Sequence, residues 1–272
     1  MSNDEYSAHW HTHFWYNIAM NIEQRDRMTG YAKASLYAAL AAALIGMSGC
    51  AKDDEEPSQP LKTDAGHEMV QLWKDGPYWA TKNIGAEKPE EYGCYFWWGD
   101  TVGYKREGGA WVASDGSNSN FSFYSGNAPT YGKSNSTLQS EGWITSAGVL
   151  APEHDAAHVH WGGKWRMPTD AELDSLNNNC DWTWTTQNGV NGYVVRGRGD
   201  YSSASIFLPA SGIGSGTSLA FVGSSGYYWS SVPYSGNGDH AWGLGFDSGY
   251  HGTSSSSRLF GRSVRAVQGF TE

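Results

Sequence analysis

Apolar and polar positions alternate with a period of two along several short stretches of this chain, and one stretch repeats at helical spacing. Met69-Val70-Gln71-Leu72-Trp73 reads as a first strand, Gly76-Pro77 as a turn, and Tyr78-Trp79-Ala80-Thr81 as a second strand. Further strands are expected at 182–186 and 193–195, joined across Asn188-Gly189, and at 205–208. The helix starts at Pro168-Thr169-Asp170-Ala171-Glu172. Thr169 can cap the backbone N–H of Glu172, whose side chain reaches back, while Leu173 and Leu176 share a face. Asn177 to Asn179 should end it. Residues 101–143, rich in Ser, Asn, Gly and Tyr, predict a long surface excursion.

The most informative pattern lies in residues 226–267. Trp242, Leu244 and Phe246 are three apolar posts in a middle stretch made otherwise almost entirely of Gly, Ser, Asp, His and Tyr. That alternation predicts a strand whose posts face a core, together with Trp229 and Val264, and whose other side faces outward. The outward set comprises Asp239, His240, Gly243, Gly245, Asp247, Gly249, Tyr250, Gly252, the serines 254–257 (Ser254 and Ser256 foremost), Leu259 and Phe260. Its chemistry is that of an antibody contact surface, in which Tyr supplies rigid amphipathic area and small residues supply adaptable polar contacts. Arg258 and Arg265 are expected to be structural, pairing with carboxylates or carbonyls.

Composition narrows the class. The chain has 272 residues, 35 Gly and 14 Trp, which indicates a loop-rich single core with short strands and large aromatic anchors. A formal charge of −10 leaves no basic stripe for phosphates, so nucleic acid is not an expected partner. Of three cysteines, Cys94 and Cys180 could pair in an exported protein or sit as small buried hydrophobes.

Candidate chemistry is sparse. Glu153, His154, Asp155, His158 and His160 are the densest group of metal-ligand types, but no single helix or strand puts them on one face, and the metal assignment stays open. No other cofactor is expected, although calcium held by Asp and backbone carbonyls is possible. Gly223-Ser224-Ser225-Gly226 does not fit the nucleophile elbow, and Gly212-x-Gly214-x-Gly216 reads as a loop without a phosphate-binding helix. Arg198-Gly199-Asp200 is a tripeptide that recurs by chance.

Three blocks carry a family resemblance: ATKNIGAEKPEEYGCYFWWGD from Ala80, WGGKWRMPTDAEL from Trp161, and YYWSS-x-PY, A-x-x-L-x-F and R-x-x-G-R-S-V-R near the C-terminus. Together they resemble the Fibrobacter succinogenes major paralogous domain, a C-type-lectin-like domain abundant in lipoproteins of Bacteroides and its relatives. The resemblance implies an α+β, C-type-lectin-like fold related to that of the formylglycine-generating enzyme, with short antiparallel strands and few helices. It also overlaps with the variable proteins of diversity-generating retroelements, whose C-terminal cassettes are randomised at Asn-type codons and never yield Lys, Glu, Gln or Met. Residues 234–262 contain none of those four, though neither do residues 194–233. The sugar-binding signatures of C-type lectins are absent. The late cysteine pair of the formylglycine-generating enzyme is absent too, so an enzyme is not expected.

The first 66 residues predict export. Lys33, the apolar run 36–45 and Met47-Ser48-Gly49-Cys50 have the order of a signal peptide and resemble a lipobox, with lipid on Cys50. Residues 28–49 are then the signal peptide and residues 1–27 extra sequence from an early start. Residues 50–66 form an acidic flexible tether in which Lys52-Asp53-Asp54-Glu55 resembles the lipoprotein export signal of Bacteroidota, and 67–268 form the folded domain. The expected protein is an outer-membrane, cell-surface lipoprotein that binds a protein or glycan ligand through a variable segment at 234–262. The alternatives are a non-diversified structural adhesin or envelope component and, third, an enzyme.

Overall fold

The computed structural model describes residues 62–117, 121–123, 126 and 128–269. The signal peptide, Cys50, the acidic signal and the early extra sequence lie outside them.

The described residues form small antiparallel sheets linked by loops, with short helices between. The first sheet joins β1 (Lys62–Asp64), β2 (His67–Gln71), β3 (Tyr78–Ala80) and β14 (Val267–Gln268), in that order. The Gly76 N–H bonds the Trp73 carbonyl at 3.2 Å and makes the expected turn between β2 and β3. Strand β1 falls inside the span predicted as tether, so ordered structure begins before residue 67. It forms because Ala65 and Gly66, at φ 50° and 80°, reverse the chain and pair Lys62 with Met69.

The surface excursion contains more order than its composition suggests. Strands β4 (Tyr104–Glu107) and β5 (Ala110–Ala113) form a hairpin, and helix α1 (Asn135–Ser140) follows, capped by Ser134, whose Oγ accepts the Thr137 N–H at 3.2 Å. Helix α2 (Ala156–Trp161) is capped by Asp155, which also accepts the Met167 N–H at 2.8 Å. Both helices are six residues long, too short to hold without such caps and the buried Leu138, Ala156 and Ala157 beneath them.

Helix α3 (Asp170–Asn179) has the predicted capping box. Thr169 Oγ1 accepts the Glu172 N–H at 3.1 Å, and Glu172 Oε2 accepts the Thr169 N–H at 2.8 Å. Arg166 then grips the same carboxylate at 2.7 and 2.6 Å, which ties the helix start to the preceding chain. Leu173 and Leu176 are buried as their spacing requires. Arg198 closes the other end by donating to the carbonyls of Asn178 and Cys180 and to Asp181, so the arginine of the Arg-Gly-Asp tripeptide is committed.

Strands β6 (Asp181–Gln187), β7 (Val190–Arg196) and β8 (Ser205–Pro209) make the second main sheet. Asn188 and Gly189 both have positive φ, 49° and 83°, as a two-residue primed hairpin turn demands. The glycines after Ser211 are not a loop: β9 (Ile213–Ser215) and β10 (Ser218–Ala220) form a small hairpin there. Gly214 pairs with Gly261 because the Phe123 ring covers both; a Cβ at either would stand 2.6 or 2.2 Å from it.

One buried cluster groups Trp98, Trp165, Trp229 and Val264, and a second groups Trp79, Leu176, Val195, Leu208, Leu244 and Phe246. Cys94 lies in the first and Cys180 in the second, both as free buried thiols, which realises the small-hydrophobe reading. Burial raises both thiol pKa values, that of Cys180 to about 12.

Candidate functional site

The C-terminal sheet runs β11 (Ser225–Pro233), β12 (His240–Asp247), β13 (Tyr250–Ser257), with Tyr228 opposite Leu244 and Leu244 opposite Thr253. Alternation along three registered strands therefore sorts the side chains onto two faces.

One face is packed. Leu244 and Phe246 are 1% and 3% exposed, and the Phe246 ring meets Tyr193 edge-on at 5.4 Å. Gly226 leaves space for that ring, since a Cβ there would lie 2.1 Å from it. On β13, His251 stacks on Trp182 at 4.4 Å and bonds Asn177, while Thr253 bonds Asp174, so helix α3 and β6 cover this side. The third post, Trp242, is half-buried and meets the Tyr234 ring at 5.2 Å instead of entering the core. It sits where the sheet extends past its cover.

The other face carries Tyr227, Trp229, Gly243, Gly245, Gly252, Ser254 and Ser256, with Asp247 and Tyr250 at the turn. Here the glycines are a floor on which larger side chains lie. Tyr250, 53% exposed, rests on Gly252, and Tyr227 lies against Gly245, where a Cβ would still have 3.6 Å of room. Arg262 runs past Tyr227 and Trp229, with its guanidinium 5.2 and 4.5 Å from their ring centres, and ends over Gly243. Phe221, 42% exposed and held at φ 60°, continues the aromatic strip beside Tyr227.

The predicted outward set is thus only partly one surface. Gly243 and Gly252 are buried, because Arg262 and Tyr250 lie on them. Gly245, Tyr250, Ser254 and Ser256 share the face. Asp247 accepts the Gly249 N–H at 2.8 Å and shapes the exposed β12–β13 turn. Asp239 and His240 are half-buried at the far end of β12, where their carbonyls accept from Arg258. Leu259 is half-buried against the Trp97 cluster, and Phe260 is half-buried in the following turn. Sequence reasoning does not single out Tyr227, Phe221 or Arg262. The register of β11 against β12 would have found Tyr227; nothing in the sequence marks the positive φ of Phe221.

Three buried arginines bracket this sheet, and desolvation lowers each pKa to about 10, which still leaves them charged at neutral pH. Arg265 is fully matched by Asn83 Oδ1 and the carbonyls of Ala80 and Phe207, at 2.8–3.0 Å. Arg258 bonds the carbonyls of His240, Thr130 and Lys133, and its guanidinium lies 4.6 Å from the Trp98 ring centre. The acceptors are carbonyls and an amide, as a neutral core requires. Among the described residues one Arg258 nitrogen, Nη2, is buried without a hydrogen-bond acceptor, and Arg262 has two, Nε and Nη1.

The Glu153–His160 group disperses. His154 stacks on Trp143 at 4.0 Å, Asp155 is the α2 cap, and His158 and His160 bond the carbonyls of Trp165 and Thr101. Among the described residues no group of three or more His, Cys, Asp or Glu gathers to hold a metal ion. No helix of the described residues is long and apolar enough to cross a membrane.

Fold and site together define a loop-rich domain of small antiparallel sheets with one strand face packed and the opposite face floored by glycine. A family model described as a domain of unknown function (DUF8237) matches residues 169–267, which run from the cap of α3 into β14 and include the whole of this face. No curated protein and no solved structure matches the chain.

Proposed function

We propose that this chain is a cell-surface lipoprotein, anchored through lipid on Cys50, whose C-type-lectin-like domain binds a macromolecular partner through the β11–β13 face. It acts by recognition. The observation that carries the reading is Tyr250: among the described residues the most exposed of the large hydrophobic side chains, at 53%, it lies on a glycine floor beside the Tyr227–Phe221 strip, on a sheet whose other face is packed. Exposed rigid aromatics amid small side chains are the composition of binding hot spots. Export and anchoring rest on the signal-like run before Cys50 and the acidic residues after it.

A photo-crosslinking amino acid at position 250 of the full chain, displayed on cells mixed with neighbouring bacteria, tests the face. Val112, 37% exposed on β5, is the control position. The expected result is a discrete adduct from position 250 and none from 112. Equal labelling from both would remove the face assignment.

We infer further that residues 234–262 are diversified by a retroelement, and one observation favours the non-diversified adhesin in its place: position 243 has no room for a side chain. A near-copy of the coding segment beside a reverse transcriptase, with the codon for residue 243 spared, is the expected arrangement. The absence of any such copy in the neighbouring DNA would favour the adhesin.

A further inference from the structure

Trp242 leaves the core at the end of the packed face, and what surrounds it there is an open groove of about 490 Å³. The groove lies between α1, the turn after Ile144 and the chain joining β11 to β12. Its volume is in the range of small-molecule sites, about 300–1,000 Å³. None of the twelve residues lining it is charged, although the chain carries a net charge of −10. Asn135 and Gln139 stand four apart on α1, so both amides are aimed from one side. Ser146 and Ser235 add hydroxyls at the rim. Among the described residues the side chains of Asn135, Gln139, Ser146 and Ser235 make no hydrogen bond. The Trp242 indole is held by the edge-on Tyr234 ring at 86°, which fixes its plane.

Each part of this arrangement selects against a different class of occupant. A charged ligand would lose hydration and meet no opposite charge. A purely apolar ligand would bury amides and hydroxyls without partners. What fits is a neutral molecule with an apolar C–H face to lie on an indole and many hydroxyls around its edge, which donate and accept as amides and hydroxyls do. We propose that this groove binds a neutral saccharide, without a metal, with Trp242 as its platform and the amides of Asn135 and Gln139 as its polar contacts. The site is distinct from the Tyr250 face, because Trp242 alternates onto the side opposite Gly243 and Gly245.

Titration of the full chain with neutral trisaccharides of glucose, xylose, mannose and N-acetylglucosamine, followed by tryptophan emission and calorimetry in EDTA, tests this. At least one should give saturable binding at millimolar or lower concentration, with no gain on adding calcium. Trp242→Ala should abolish it, Trp242→Phe should retain part of it, and Asn135→Ala or Gln139→Ala should weaken it on the order of tenfold, as the loss of a hydrogen bond to a bound ligand does. Tyr250→Asn should leave it unchanged, which separates this site from the proposed partner face. Circular dichroism on each variant shows whether it is folded, and the exposed Gln139→Ala carries the test if Trp242→Ala does not fold. No binding by any of the four sugars, binding that needs calcium, or binding indifferent to both Gln139→Ala and Trp242→Phe would overturn the proposal.

Discussion

Arg262 ends against Gly243: a Cβ built on that glycine would stand 3.0 Å from Arg262 Nη1 and 2.4 Å from the Tyr228 carbonyl oxygen. The second distance is to backbone and cannot be relieved by a rotamer. Gly243→Ala should therefore destabilise by roughly 1–3 kcal/mol, the cost of overpacking, while Gly245→Ala, with 3.6 Å of room, should stay within about 0.5 kcal/mol. Thermal melts of the pair decide it; equal shifts would mean the floor is not built as described.

The packed and open faces should separate in the same way. Leu244→Ala and Phe246→Ala should each cost about 2–5 kcal/mol through the cavity they leave. Tyr250→Asn and Ser254→Asn should cost about 0.5 kcal/mol or less. Asp247 belongs with neither set, because replacing it removes the acceptor of the Gly249 N–H. Denaturant midpoints at constant slope are the measurement.

The arginines make a contrast of their own. Arg262→Met keeps the packing against Tyr227 and Trp229 and removes a buried charge whose Nε and Nη1 lack acceptors, so stability should hold or rise. Arg265→Met strands the Asn83 side-chain oxygen and two carbonyls, and should cost more than about 3 kcal/mol. A larger loss at Arg262 than at Arg265 would show that its guanidinium has a partner it needs.

Four histidines, His67, His154, His240 and His251, have pKa values lowered from 6.5, each chiefly by desolvation. The unfolded chain then binds more protons than the folded one just below that value. Their contribution is complete above about pH 6.5 and is lost as pH falls through the lowered folded values. Urea midpoints should drop as the solution is acidified from about pH 7. His251→Gln should flatten that drop, and comparing the two proteins removes the carboxylates that titrate over the same range.

The proposed anchoring is separable from all of this. Cys50→Ala should release the protein from the membrane fraction. Replacing Asp53, Asp54, Glu55 and Glu56 together should leave it acylated but hide it from protease added to intact cells. Unchanged accessibility would count against the acidic residues as an export signal.

What could be read in the sequence was whatever local chemistry decides. The Thr169–Glu172 capping box, the Asn188-Gly189 turn, the β2–β3 hairpin and the burial of Leu244 and Phe246 each depend on a few neighbouring residues, and each stands in the structure. Helices α1 and α2 were not legible, because six residues held by one cap and a buried leucine or alanine pair have no periodicity of their own. The β9–β10 hairpin was hidden for a related reason: its Gly214 is set by the distant Phe123 ring. Trp242 obeys the alternation and still leaves the core, since alternation chooses a face without saying how far its cover extends. The burial of Gly243 and Gly252 has no sequence signal, because small residues predict contact with a partner as readily as contact with Arg262 and Tyr250.

The last eleven described positions before Gly269 have a consequence for the order of events in the cell. Arg258 ties the 130–133 loop to β12, the 261–264 segment lies alongside β11 and bonds Phe96, Arg265 joins β3 to β8, and Val267 pairs with both Trp79 and Arg166. A ribosome that has made everything up to Ser257 has made a chain whose sheets still lack the strip that joins them. Completion must wait for the final stretch, and contacts that span nearly two hundred residues close slowly. Closure of the domain thus falls to its last-made strip, and a chain shortened by that strip should keep its local elements without joining its sheets.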